Sequence, residues 1–435
     1  MQPEQDQPRR SEVFNWVQRI GPARSLFLAL FSLSLLLLGC YTLTERRIIG
    51  RRPATDEVQP PEVSVDHMVR VRLLGSKPRA AIELEVTGPF EISSEAPQPI
   101  QQELPRLPVC TARVAPSGGI NLGGAHYPND DLLISPMRDA SIVVEGKTYR
   151  GLLRIHSDSG GLFVTNHVDI ESYLRGVLRG ELPSRFHDEA FKAQCVAART
   201  YVLYQKRNRS ADSTFDVYDS ERSQMYIGVL GEDERAVGAV AETRGQICVW
   251  RDQGEDKLFC TYYSSTCGGR SQHVNHFKPN DPDVPPLRGN VECKDCYLAK
   301  FYRWKPVKLS KTEVTRRIVA NYPSIARLGT IVGLRPKELT VDGRIVRIHL
   351  DGSTGQNETL VGEDFRLSVG GRVLKSTNFV IEAGPDFFLF RDGRGYGHGV
   401  GLCQHGMETK ARRGMGYKAI LARYYPTSRI KTLYN

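Results

Sequence analysis

The sequence of 435 residues has no internal repeat and no helix-turn-helix, zinc-finger or RNA-recognition signature. Its basic residues, 59 Lys and Arg against 49 Asp and Glu for a net charge of +10, are scattered instead of clustered with aromatic side chains. Net charge alone suits nucleic acid, an acidic wall polymer or an anionic membrane face, and the missing motifs argue against nucleic acid as a partner. What is present is an ordinary globular composition, 40% apolar and 25% charged, long enough for two or three domains and a real core. Forty Gly and 25 Pro, with alternating runs such as Ala81-Ile82-Glu83-Leu84-Glu85-Val86, predict much β structure and many turns. The expected fold class is α+β.

Charge is also missing from residues 26–43, LFLALFSLSLLLLGCYTL, which follow Arg9, Arg10, Arg19 and Arg24. A run of this length is an export or membrane signal, because a buried core helix would show a polar face. Leu37-Leu38-Gly39-Cys40 resembles a bacterial lipoprotein cleavage box, with bulky Leu38 where a small residue is usual. The apolar run also continues past Cys40, as in an uncleaved signal anchor. Either device hangs the chain from a membrane, and Arg46, Arg47, Arg51 and Arg52 at the far end leave the positive-inside rule unable to orient it.

The expected organisation is a basic segment over 1–25, a membrane or signal segment over 26–43, a polar Pro-containing linker over 44–65, a β-rich portion over 66–170 and a final portion over 171–435. Strands are predicted at 69–74, 80–86, 148–156 and 161–168. Over 188–206, Ala190, Phe191, Gln194, Cys195, Ala198, Val202 and Leu203 recur at helical spacing, with Asp188 as N-cap and Glu189 in the first turn. A shorter helix is expected at 233–242 and strands within 337–350 and 366–381. The segment 393–401 has five Gly in nine residues and is followed by two predicted helices before Pro426.

Four stretches together resemble the stage II sporulation protein D family of peptidoglycan lytic transglycosylases and amidase enhancers. The first, VDIESYLRGVLRGELPSRFHDEAFKAQCVAARTYVL over 168–203, is similar to the family's Tyr-Leu-X-Gly-Val segment, Glu-X-Pro and Ala-rich helix, with Glu181-Leu182-Pro183 at the Glu-X-Pro. The second is Ser223-Gln224-Met225-Tyr226 followed by Thr243-Arg244-Gly245-Gln246, and the third is Tyr263-Ser264-Ser265-Thr266-Cys267-Gly268-Gly269. The fourth is Gly397-His398-Gly399-Val400-Gly401 with Gln404, and shorter echoes stand at Gly343-Arg344 and 374–377. The likeness runs in order through 66–432. It departs at Ser264, where the family often has His, and at Met407 and Cys195, where Ala is usual.

The resemblance implies mixed β-rich domains with a few helices around a substrate groove, the catalytic part being 171–435. It implies Glu181 as the group that protonates the glycosidic oxygen between N-acetylmuramic acid and N-acetylglucosamine, then takes the proton of the muramyl C6 hydroxyl as that oxygen closes onto C1. Such an acid needs a raised pKa, and Val177, Leu178, Leu182 and Pro183 offer partly apolar surroundings. Without the resemblance Glu181 reads as a solvated turn residue or a helix-terminus charge. Glu171 is the second carboxylate of a rival two-carboxylate hydrolase, although Asp169-Ile170-Glu171-Ser172 looks like a helix start. Arg199 suits a lactyl carboxylate or equally a salt bridge; Gln224, Tyr226, His398 and Gln404 are of the hydrogen-bonding and stacking types that sugar clefts use. Implied partners are peptidoglycan glycan strands, a cell-wall amidase and, through the N-terminus, the membrane. The implied location is the extracytoplasmic cell envelope.

Cys293-Lys294-Asp295-Cys296, with Cys260, Cys267, His273 and His276 close before it, has zinc-ligand character. Some members of the family bind a metal near the Ser-Thr-Cys-Gly-Gly run, which implies a structural zinc on Cys267, Cys293 and Cys296 with a fourth ligand from Cys260, His273 or His276. Catalysis itself requires no cofactor. A disulfide is the competing reading, which an oxidising exterior permits. Cys110, Cys195, Cys248 and Cys403 read as small core residues.

Overall fold

Alternation of apolar and polar side chains builds the first part of the fold. In Ile82–Val86 it buries Ile82, Leu84 and Val86 and turns Glu83 to solvent. The computed structural model describes residues 67–158 and 160–434, so the expectations for 1–25, 26–43 and 44–65, Cys40 included, lie outside the described residues. Among the described residues no helix is long and apolar enough to cross a membrane.

A seven-stranded sheet runs in the order Val217–Tyr218, Met68–Leu73, Gly161–Asp169, Leu152–Asp158, Asp131–Pro136, Phe90–Ser94 and Ile100–Leu104. A six-stranded sheet runs Lys147–Tyr149, Ile142–Val144, Ile82–Val86, Leu107–Val114, Ile120–Leu122 and Ala125–Tyr127. The single strand expected at 148–156 is divided between these sheets. The cause is Gly151, at φ +83°, whose place against the chain leaves no room for a Cβ, which would sit 2.1 Å from His167 O.

Strand Gly161–Asp169 leads straight into helix α1 (Ile170–Glu181), capped by Asp169 Oδ1, which accepts from the N–H of Glu171 and of Ser172 at 3.0 and 3.2 Å. Ile170, Tyr173, Leu174, Val177 and Leu178 form its buried stripe. The helix stops at Glu181 because Leu182 precedes Pro183 and is pushed into an extended conformation. Helix α2 (Asp188–Arg207) is the long Ala-rich helix expected, but its N-cap is His187, whose side chain accepts from Glu189 N–H, so Asp188 is its first residue instead of its cap. Helix α3 (Glu234–Glu242) is capped by Asp233.

The chain from Arg303 to Arg394 is an excursion with its own core, in which Trp304, Ile318, Leu334, Ile348, Phe365 and Phe390 pack together. Its entry strand Arg303–Trp304 pairs antiparallel with its exit strand Gly393–Arg394. Within it, helix α4 (Lys311–Asn321) and helix α5 (Gly362–Val369) accompany two three-stranded sheets, one containing the hairpin Ile331–Leu339/Ile345–Gly352. The strand expected over 366–381 is formed only at its end, from Val380 onward. Phe365 and Val369, four apart, turn one helical face into this core, and a short strand, Val380–Ala383, comes only afterwards. After the glycine-rich segment come helix α6 (Gln404–Arg412) and helix α7 (Tyr417–Tyr424), as the sequence predicts.

Candidate functional site

Glu181 is the last residue of α1, and two glycines of that helix decide what it meets. A Cβ on Gly180 would lie 2.1 Å from Met225 O, and one on Gly176 would lie 2.6 Å from the Tyr226 ring. The loop carrying Ser223-Gln224-Met225-Tyr226 therefore packs directly on the helix backbone. This brings Met225 N–H to Glu181 Oε1 at 2.8 Å. Tyr263 OH donates to the same oxygen at 3.3 Å, and Gln404 Nε2, at the first position of α6, donates to Oε2 at 3.3 Å.

Glu181 is half-buried as a residue. Burial of the carboxyl pushes its pKa above the usual carboxylate range and the exposed Glu221 charge adds to this, while the three donors pull the other way without cancelling it. Behind the site runs a chain of hydrogen bonds: Tyr173 OH donates to Gln224 Oε1 at 3.0 Å, Gln224 Nε2 donates to Tyr263 OH at 3.0 Å, and Tyr263 OH donates to Glu181 Oε1. Such a network fixes the orientation of a partly buried acid. An open polar hollow of about 650 Å³ near Ser184, Asp188, Lys192 and Arg235 is bordered by none of Glu181, Met225, Tyr263 or Gln404.

Of the residues singled out in the sequence, Gln404 touches Glu181 and Gln224 reaches it through Tyr263. Gln224 is fully buried, so it is closed to an outside ligand and acts on Glu181 only by orienting the Tyr263 hydroxyl. Two expectations are corrected. Arg199 is fully buried, donating to both oxygens of Glu171 at 2.9 and 2.6 Å and to Gln246 O at 3.0 Å, so its guanidinium is committed to the fold and not to a substrate carboxylate. Tyr226 lies in the core between Tyr149 and Tyr173, its hydroxyl donating to Asn166 Oδ1 at 3.0 Å. His398 stacks on Phe277 at 4.4 Å, and burial lowers its pKa to about 4, leaving it a neutral member of an aromatic cluster with Tyr262.

Glu171 is unavailable as a second catalytic carboxylate. Burial pushes its pKa up, but Arg199, with the Tyr434 hydroxyl at 2.7 Å and Gly245 N–H at 3.3 Å, outweighs that and holds it below the usual range. Tyr263 was missed although it opens one of the matched motifs, because nothing in that motif says which face its ring takes.

The cysteines form a second centre. Sγ atoms of Cys267, Cys293, Cys296 and Cys403 lie within 4.8 Å of one another, all buried. The Cys267–Cys296 separation is 3.7 Å, far beyond a disulfide bond of about 2.05 Å and close to the roughly 3.8 Å edge of a tetrahedron with metal–sulfur bonds of about 2.3 Å. The fourth thiol is thus Cys403, expected as a core residue, and not Cys260, His273 or His276. His273 faces Asp283 at 3.2 Å and Cys260 lies near Gln205. Gly406 gives the sulfurs room, since a Cβ there would sit 2.4 Å from Cys293 Sγ. Cys403 Sγ accepts from Cys267 N–H at 3.3 Å and Gly406 N–H at 3.4 Å, caps α6, and directly precedes Gln404.

The family model described as Stage II sporulation protein matches residues 158–250, which contain Glu181, and a domain of unknown function, DUF8618, matches 290–401, which contain the Arg303–Arg394 excursion. An uncharacterized protein of Brachyspira hyodysenteriae is 32% identical over 65% of this chain and 72% of its own length. The stage II sporulation protein D of Bacillus subtilis is 26% identical over 61% of this chain and 75% of its own. The amidase enhancer of the same organism is 25% identical over 71% of this chain and 48% of its own, so the chain spans about half of that relative. With Met225, Tyr263 and Gln404 of three matched motifs bonding the carboxyl of Glu181 in a fourth, the chain belongs to the stage II sporulation protein D family.

Proposed function

We propose that the protein is a peptidoglycan lytic transglycosylase acting on glycan strands, peptide-free ones included, with Glu181 as its acid and base. The observation that carries this is the carboxyl of the half-buried Glu181, raised in pKa by burial and held by Met225 N–H, Tyr263 OH and Gln404 Nε2. Protonated, it gives its proton to the oxygen linking N-acetylmuramic acid to N-acetylglucosamine as the C1–O bond breaks. As carboxylate, stabilised by those three donors, it takes the proton of the muramyl C6 hydroxyl while that oxygen bonds to C1 and leaves a 1,6-anhydro end. One carboxyl suffices, which agrees with Glu171 being locked against Arg199.

A non-catalytic amidase enhancer is the second reading, supported by the relative of that name. The four thiols fit a structural zinc, which would supply cross-linking of chain segments and no step of the reaction. The chain is proposed to work outside the cytoplasmic membrane, held there by residues 26–43. The deciding experiment is mass spectrometry of products from the full-length chain on peptide-free glycan strands, wild type against Glu181→Gln. Anhydromuramyl ends that disappear in the variant are expected, with a loss of about 10²–10⁴-fold. Wild-type protein that binds strands and leaves them intact would replace the enzyme by the enhancer, and reducing ends would make it a hydrolase.

A further inference from the structure

The glycines of segment 393–401 serve a need internal to the fold, because part of this segment wraps the side chain of Arg344. A Cβ on Gly399 would lie 2.6 Å from its guanidinium, and one on Gly395 would lie 3.0 Å from it. Arg344 belongs to the Arg303–Arg394 excursion, where its backbone N–H donates to Thr340 Oγ1 at 3.0 Å. Its side chain leaves that lobe and is fully buried. Nη2 donates to Cys267 O at 2.6 Å and Nη1 to Gly397 O at 3.4 Å, while Nε has no partner.

A buried guanidinium ordinarily sits on a carboxylate, since desolvation of an unpaired charge is strongly unfavourable. Two carboxylates act on Arg344, yet neither bonds it. Glu363 is taken by Arg366 at 2.9 and 2.5 Å. Asp342 accepts from the Thr340 hydroxyl at 2.8 Å through Oδ1, and its buried Oδ2 has no partner. The guanidinium thus bonds the Cys267 carbonyl while a buried carboxylate oxygen of Asp342 is left without a partner.

Beyond Cys267 lies the thiol cluster. A divalent cation on four thiolates leaves two net negative charges in a buried place. The groups at the sulfurs themselves, Gly406 N–H, Cys267 N–H and the Tyr424 hydroxyl 3.0 Å from Cys293 Sγ, bring no charge. Lys410 and Arg413 are both spent on Asp295, each at 2.6 Å. We infer that Arg344 is the counter-charge of a tetrathiolate zinc centre, a positioning residue through which the inserted lobe is tied to the metal. This rests on the zinc reading.

The test is zinc retention by the full-length chain against a graded chelator, read by metal analysis and, for cobalt-loaded protein, by the visible thiolate-to-metal absorption. Arg344→Gln keeps a donor for Cys267 O and removes the charge; Arg344→Lys keeps the charge. The glutamine variant is expected to lose zinc affinity by about 10–100-fold, and the lysine variant by no more than about threefold. Glutamine holding zinc as tightly as arginine, or lysine failing as badly as glutamine, would overturn the inference. Should Arg344→Gln fail to fold, the lysine variant decides, a tenfold loss there counting against the counter-charge role. A wild-type chain that binds no zinc would instead remove the metal reading, and this inference with it.

Discussion

At the scale of the residue, what distinguishes Glu181 is that burial outweighs three hydrogen-bond donors. In the proposed reaction the first step needs the protonated acid, so activity should fall as pH rises through the Glu181 pKa, and raising that pKa extends activity upward. Tyr263→Phe removes a donor that stabilises the carboxylate, which pushes the pKa further up. The alkaline limb of the kcat/KM profile is expected to move to higher pH, with kcat lower by about tenfold because the second step uses the carboxylate. A limb that stays in place or moves down would show that Tyr263 does not tune the acid.

The same shift has a consequence for stability. The folded pKa of Glu181 lies above its unfolded value, so on raising pH the unfolded chain ionises first. Stability from this group is present below the unfolded pKa and is lost as pH rises toward the folded one. Glu181→Gln removes that loss. The variant is expected to melt about 1–2 °C above wild type at neutral pH and to match it in acid, as read by thermal denaturation at both pH values.

At the scale of the element, helices α1 and α2 are joined by the buried pair of Glu171 and Arg199, which the C-terminal Tyr434 hydroxyl completes. Arg199→Met leaves Glu171 buried without its cation and should cost about 3–5 kcal/mol. Adding Glu171→Leu should recover most of it. Because Arg199 does not face the site, the double variant is expected to retain lytic activity; activity lost in a stable double variant would return Arg199 to the substrate.

These two helices also mark how far the sequence can be read. Their apolar spacing, the Asp169 cap and the stop at Pro183 are local properties, legible without neighbours. The direction in which Arg199 and Tyr226 point is not, because it depends on Glu171 lying 28 positions upstream and on Asn166 in another strand. The last four residues of helix α5 fall in the strand expected over 366–381, since apolar residues there fit either period until the core of the lobe selects one. Cys403 escaped for a related reason: it lies 107 positions beyond Cys296, with the whole lobe between.

At the scale of the whole molecule, that interruption is the organising fact. Three of the four thiols precede the Arg303–Arg394 lobe and the fourth follows it, directly before Gln404. A metal on these thiols closes the loop that carries the lobe and fastens the start of α6, hence the amide that holds Glu181 Oε2. Metal bound to the folded chain alone stabilises it by mass action, about 4 kcal/mol when free metal exceeds Kd a thousandfold. The lobe, in contrast, has its own apolar core and a paired neck that involve no thiol. Chelation is therefore expected to lower the melting temperature of the body more than that of the lobe, turning one calorimetric transition into two. Anhydromuramyl product should fall with the first transition, since Gln404 goes with the body. A single transition that moves down intact would mean that lobe and body unfold together whether or not the thiols are bridged, and that the neck, not the metal, holds them as one.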